Sequence, residues 1–352
     1  MTDMSHQVAN NRIDWVDYSK GICIILVVMM HSVLGYGEMV DATGWMHPVV
    51  EFAKPFRMPD FFLIAGLFLS HSIMGNGRSY FDRKIVHFAY FYLLWLAIQT
   101  TLFEASVLLN NPVEFIQIFL KALVIPNGSL WFVHMLAVFY AITWAVRHVP
   151  KVVVFAVVAL LQIIFATGVI NTGWSVTNRF AEWYVFFFAG YAFAPIAFEF
   201  ARRIAKNARV ALEALVLWAV LNYWMVSHDV HALPVFSLVL GFAGAGAIIG
   251  VGALLARFDI AHALRYAGKY SIVIYLTFFI PMKVAQKGLA STGIVSDVGL
   301  ASFIVLAVGV IAPLVGHWLI KRTPLIALYE RPDWAKLKAR KSKTPKTVFI
   351  ES

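Results

Sequence analysis

The sequence predicts an all-α polytopic membrane protein of about ten transmembrane helices with both termini in the cytoplasm, and three observations lead there. Hydrophobic residues make up 61% of the chain, only 14% are charged and the mean hydropathy is +0.75, a balance that a water-soluble globule does not tolerate. The apolar residues are gathered into runs near 20 residues, the length that crosses a bilayer core as a helix. Lys and Arg are distributed unequally between alternate connecting segments, which fixes orientation independently of the hydropathy.

Taken in order, the apolar segments lie at roughly 15–36, 58–74, 86–108, 130–147, 152–170, 182–200, 210–227, 234–256, 270–286 and 299–320. The second and ninth fit the template least well. Turn-rich breaks separate several of them, as at Gly75-Asn76-Gly77, Pro126-Asn127-Gly128-Ser129, His148-Val149-Pro150 and Asn171-Thr172-Gly173. Irregular backbone exposed to lipid leaves polar groups unsatisfied, so the spans are expected to be helices and the breaks to lie near the surfaces. With the N-terminus inside, 23 of the 29 Lys and Arg residues fall on the inner side, in keeping with the positive-inside rule. The chain then divides into a cytoplasmic segment at 1–14, a transmembrane domain at 15–322 and a basic cytoplasmic tail at 323–352. The first 20 residues lack a basic n-region, and no small-residue cleavage site follows the first apolar run, so that span is read as uncleaved. The tail sequence K-L-K-A-R-K-S-K-T-P-K has no aromatics interleaved with its cations. Anionic inner-leaflet lipid is therefore the expected partner, and nucleic acid is not. No internal repeat of the kind common in secondary transporters is visible.

Within the first span, Lys20 and His31 are eleven residues apart, which places them on nearly the same helix face and about 16 Å apart along the axis. A cation thus sits near one surface and a titratable ring in the opposite half. Ionisable groups at such depth are rare and usually functional. By itself His31 admits two readings, a hydrogen bond to a neighbouring helix or chemistry. Lys20 either snorkels to the interface or holds an anion, and Asp17, three residues earlier, is its natural ion-pair partner and structural support. The eleven histidines are scattered without metal-ligand spacing and Cys23 stands alone, so neither a metal site nor an intrachain disulfide is expected. Cys23 is read as packing, and no phosphate-binding glycine loop is present.

The segment I-D-W-V-D-Y-S-K-G-I-C-I-I-L-V-V-M-M-H, Ile13 to His31, resembles the opening of the membrane-bound acyltransferase-3 family. There a basic residue followed by Gly precedes a His with ten residues between, here Lys20, Gly21 and His31. F-R-M-P-D-F-F-L-I-A-G-L-F-L, Phe56 to Leu69, is similar to the family's F-H-M-P-L-F-F-x-x-S-G-x-x-F, especially in the fucose 4-O-acetylase-like branch. Arg57 takes the place of the usual His, and Ala65 that of a common Ser. Four looser matches follow in order along the chain. Tyr80-Phe81-Asp82-Arg83-Lys84 resembles a basic motif, with His87 where a second Arg often stands. Ser129-Leu130-Trp131-Phe132-Val133 resembles the L-W-F start of the fourth span, and Phe187-Phe188-Ala189-Gly190-Tyr191 the F-F-x-G-Y motif. Gly268 to Leu276 resembles the late G-x-x-S-x-x-I-Y-L, with Thr277 where a His often follows.

The resemblance implies transfer of an acyl group, usually acetyl, from cytoplasmic acetyl-CoA to a hydroxyl of a cell-surface or exported glycan or glycolipid, in the plasma membrane of a bacterium. Acyl-CoA is a substrate in this reading, and no tightly bound cofactor is expected. Lys20, Arg78, Arg83 and Lys84 would hold the donor's phosphates. His31 would act as general base or as transient acyl carrier, with Asp60 orienting its ring as the carboxylate does in a triad. Arg57, Trp131, His134, Arg179 and Glu182 would face the acceptor, with Trp131 and Trp183 offering surfaces for a sugar ring. Two alternatives stay open on the sequence: a proton-coupled transporter using His31 and Asp60, and the same acyl transfer to a lipid, peptide or small metabolite.

Overall fold

The computed structural model describes residues 13–126 and 128–337, so most of segment 1–14 and residues 338–352 of the basic tail lie outside the described residues. The described residues hold helices and no strand. In chain order the α-helices are α1 (Asp14–Val40), α2 (His47–Ala53), α3 (Arg57–Gly66), α4 (Ser70–Ile73), α5 (Gly77–Tyr80), α6 (His87–Phe103), α7 (Ala105–Asn110), α8 (Pro112–Val124), α9 (Trp131–Ala145), α10 (Lys151–Ala166), α11 (Ser175–Ala192), α12 (Ala194–Lys206), α13 (Ala208–Ser227), α14 (Pro234–Phe258), α15 (His262–Lys269), α16 (Ser271–Thr277), α17 (Phe279–Thr292) and α18 (Val298–Ile320). A π-helical turn, Phe81–Val86, joins α5 to α6.

Helix α1 is the axis of the molecule. It packs on α3, α14, α15, α16, α17 and α18, and its 27 residues rise about 40 Å, enough for a bilayer with its headgroup regions. Two polar groups near its start find neighbouring backbone: the Tyr18 hydroxyl donates to the Ile260 carbonyl at 2.6 Å and Ser19 Oγ to that of Trp15 at 2.9 Å. Cys23 is fully buried.

Glycines set the closest helix contacts. A Cβ at Gly66 would overlap the Phe187 carbonyl oxygen and one at Gly190 the Leu63 carbonyl oxygen, so α3 and α11 touch backbone to backbone. Gly21 and Gly268 do the same for α1 and α15, against the carbonyl oxygens of Leu264 and Asp17. In lipid, where burial of apolar surface between helices gains little, such close approach is what dispersion and packing need.

By length and apolarity six stretches are able to cross a membrane: Asp14–Val40, Gly77–Phe103, Pro112–Ala145, Ala208–Ser227, Pro234–Phe258 and Val298–Ile320. Two bent pairs raise the number to eight, α11 with α12 at 75° and α16 with α17 at 53°. The expectation of about ten exceeds this count at two places. Segment 58–74 is divided into α3 and α4, and segment 152–170 becomes the sixteen-residue α10. Helix α3 is buried on most sides, and a helix walled by protein has no need to match the bilayer thickness. The bends also have local causes. Pro195 opens α12, while Pro281 cannot donate to the Thr277 carbonyl one turn earlier, where α16 ends. Helix α12 carries Arg202, Arg203 and Lys206, and the two arginines pair with Glu199. Its charge and its angle to α11 suit a helix lying along the membrane surface.

Candidate active site

A shaft of about 280 Å³ runs between α3, α9, α16 and the start of α6. Its walls follow helical periodicity: Phe61, Ile64, Ala65 and Phe68 from the first, Phe132, Leu136 and Tyr140 from the second, Ser271, Ile272 and Tyr275 from the third, and Lys84, His87 and Phe88 from the π turn and α6. Phe132 to Tyr140 is eight residues, so the shaft is about 12 Å deep. Cations crowd one end. Lys84 Nζ lies 5.0 Å over the Tyr140 ring, and Lys20 Nζ, from α1, 5.9 Å over Phe68. The opposite end is closed by aromatic rings, with Phe61 and Phe132 stacked at 4.6 Å and 7° and Tyr275 beside them.

At Phe68, Lys84 and His87 the shaft meets a wider cavity of about 770 Å³, lined also by Asp82, Arg83, Tyr329, Glu330, Arg331 and Lys336. The π turn aims consecutive side chains Asp82, Arg83 and Lys84 into this mouth, and such turns recur at functional sites. The segment after α18 folds back over it. Tyr90 and Trp95 donate to the carbonyls of Ala327 and Leu328 at 3.0 Å each, and Thr277 Oγ1 meets the Tyr329 hydroxyl at 2.8 Å. Arg331, with a side chain 5% exposed, grips Asp82 twice: Nη1 donates to its carbonyl at 2.8 Å and Nη2 to Oδ2 at 2.5 Å.

Of the four residues expected at the donor, the structure brings Lys20, Arg83 and Lys84 to these two cavities, while Arg78 is exposed and lines neither. His87, Arg331 and Lys336 were missed. His87 follows the basic motif by three residues and reads as interfacial. Arg331 stands in Y-E-R-P-D-W, whose aromatic and proline content sets it apart from the lysine-rich stretch beyond.

His31 lies past the closed end. Its half-buried ring sits 5.5 Å from Phe278 and 6.1 Å from Phe279, and Phe278 in turn is 6.3 Å from Tyr275. One aromatic layer therefore separates the shaft from the imidazole. Gln286 Nε2 donates to the His31 carbonyl at 3.0 Å, and Arg57 and Lys283 are the charges that act on the ring. Helices α1 and α3 run antiparallel, with Arg57 near His31 and Phe68 near Lys20. Asp60 is buried, and both its carboxylate oxygens lack a hydrogen-bond partner among the described residues. It has no hydrogen bond to His31, and its charge acts instead on Cys23.

The residues expected to face the acceptor separate into two places. Arg57 stands near His31, with Nη1 directed to the Val50 carbonyl at 3.5 Å. Arg179 acts electrostatically on His134 and Glu182 and lies 4.9 Å over the Trp131 ring. That Trp131 face is thus covered by a guanidinium, while Trp183 lies 6.4 Å from Phe62 at 23°. Asp17 is buried in α1 where Gly268 meets its carbonyl.

Five of the six motif segments noted in the sequence supply residues to this shaft, while segment 187–191 packs on the other side of α3 from α11. The Phe132 N–H donates to the Tyr275 hydroxyl at 3.3 Å, and that hydroxyl donates to the Ser129 carbonyl. A family model described as an acyltransferase domain matches residues 13–322. The chain belongs to the acyltransferase-3 family, and it is a multi-pass membrane protein of acyltransferase type. It is similar to the Inner membrane protein YcfT of Escherichia coli (strain K12), at 36% identity over 70 residues, or 17% of this chain and 19% of that protein. The chain thus spans about a fifth of that relative's length. No solved structure matches.

Proposed function

We propose that the chain is an O-acyltransferase that draws acyl-CoA, with acetyl as the acyl group, from the cytoplasm and esterifies a hydroxyl of a cell-surface or exported glycan. The observation that carries this reading is the basic mouth opening into a narrow shaft that ends one aromatic layer from His31. Coenzyme A is anionic at its nucleotide and extended in its pantetheine arm. Arg83 and Lys84 suit the first, and an apolar shaft about 12 Å deep suits the second. The mouth is then cytoplasmic, in keeping with the excess of Lys and Arg on that side.

His31 takes the proton of the acceptor hydroxyl as general base. The hydroxyl oxygen forms a bond to the thioester carbonyl carbon, the carbon–sulfur bond breaks, and the proton passes to the leaving thiolate, releasing the ester and free coenzyme A. Arg57, a charge that acts on the His31 ring, has the chemistry to meet a developing oxyanion. The likeness of Phe56–Leu69 to the fucose 4-O-acetylase-like branch supports a sugar as acceptor.

The test compares incorporation of labelled acetyl into membrane glycans by wild type and His31→Ala at equal membrane abundance. Loss of a general base is expected to lower transfer by about 100-fold or more while coenzyme A binding persists. Undiminished transfer overturns the mechanism.

A further inference from the structure

The end of the shaft is built unequally. Tyr275 is tied by hydrogen bonds to the Phe132 N–H and to the Ser129 carbonyl, whereas the phenyl rings of Phe61 and Phe132 are held by packing on each other and on Phe62, Trp131 and Tyr275. All three end residues are buried, at 8%, 4% and 3% exposure. Beyond this end Tyr275 stands 6.3 Å from Phe278, which lies against His31, and the Phe61–Phe132 pair lines the shaft beside Tyr275. A thioester descending from the basic mouth reaches them acyl end first. We propose that the Phe61–Phe132 pair is a gate that selects the acyl group by length, yielding to an acetyl group on its way to His31 and excluding longer chains.

The argument is one of depth and fixity. The shaft is about 12 Å from Tyr140 to Phe132, so an extended arm anchored at Lys84 and His87 brings its thioester close to the rings. Each further carbon of the acyl group adds about 1.2 Å. A packed interior has no spare volume to receive that length, and Tyr275, fixed by its hydrogen bonds, cannot retreat. The phenyl rings can rotate enough for a two-carbon group. They cannot clear a chain of four or six carbons without displacing Phe62 and Trp131, on which Phe132 packs.

The inference rests on the shaft being the donor channel, and the experiment separates the two. Native membranes containing the full chain are supplied with acetyl-, butyryl- or hexanoyl-CoA. Release of free coenzyme A is followed after subtraction of the release by His31→Ala membranes, and coenzyme A binding to the purified chain is measured in parallel. Wild type is expected to favour acetyl strongly. Phe132→Ala and Phe61→Ala are expected to raise the butyryl-to-acetyl ratio about tenfold, and Phe132→Leu, which preserves more of the packing, to raise it in the same direction by at least threefold. Should the alanine variants fail to fold, the leucine variant decides. Ratios that stay within threefold of wild type while coenzyme A still binds, or a wild type that uses hexanoyl-CoA as readily as acetyl-CoA, overturn the gate. A chain that neither binds coenzyme A nor releases it removes the donor reading itself, and the gate with it.

Discussion

Asp82 receives three donors from the segment after the last span: Arg331 at its carbonyl and at Oδ2, and the Leu337 N–H at Oδ1 at 2.7 Å. Both charges of the pair are withdrawn from solvent, with side chains 5% and 13% exposed, so removing one leaves the other buried without compensation. A lost partner in such a pair costs about 3–5 kcal/mol. Asp82→Asn and Arg331→Met are therefore both expected to lower the thermal midpoint in detergent clearly, the second at least as much because it also removes both hydrogen bonds that Arg331 gives to Asp82. Lys84→Ala should act differently. A charge-assisted contact to phosphate is worth about 1.5–3 kcal/mol, so its loss is expected to raise the apparent KM for acetyl-CoA about 10- to 100-fold with little change in stability. Steady-state kinetics on membranes of equal abundance check this, and an unchanged KM contradicts the phosphate role. Lys84 was legible because it lies in a motif beside the third span. Arg331 was not, because it meets Asp82 across 249 residues and no local pattern announces so distant a partner.

The elements owe their arrangement to small residues whose importance a single sequence does not display. Gly190 belongs to F-F-x-G-Y and Gly21 follows Lys20 in the first motif, yet each acts as a contact point between helices. Gly190→Val would drive a side chain into the Leu63 carbonyl and part α11 from α3. Overpacking of this kind costs about 1–3 kcal/mol, sometimes more, and a lowered thermal midpoint is the expected result. Gly288→Ala in α17 meets nothing within 4 Å and should be neutral or slightly stabilising, since alanine favours the helix. Equal effects of the two would remove the close-packing account. The apolar runs made α1, α13, α14 and α18 readable within a few residues, because lipid demands long uninterrupted hydrophobic helices there. The division of 58–74 and the 75° turn after α11 were hidden from a hydropathy window. Such windows sense composition, and these breaks arise from Pro195 and from the protein walls around α3.

At the scale of the whole molecule, the proposed function assigns the cations at the mouth to a donor half and His31, at the far side of the aromatic layer, to an acceptor half. Helix α3 carries the chain from the side of His31 back to that of Lys20, so the proposed cytoplasmic placement of the mouth rests on which side Lys20 occupies. The measurement that tests this division most directly is the sidedness of transfer in sealed membrane vesicles. Labelled acetyl-CoA is added outside inside-out or right-side-out vesicles containing wild type, with His31→Ala as background. Label is expected on glycan in inside-out vesicles alone, protected within the lumen until the vesicles are opened. Equal labelling in both orientations, or labelling confined to right-side-out vesicles, would contradict a donor path that enters past Lys84 and Arg331 and delivers toward His31.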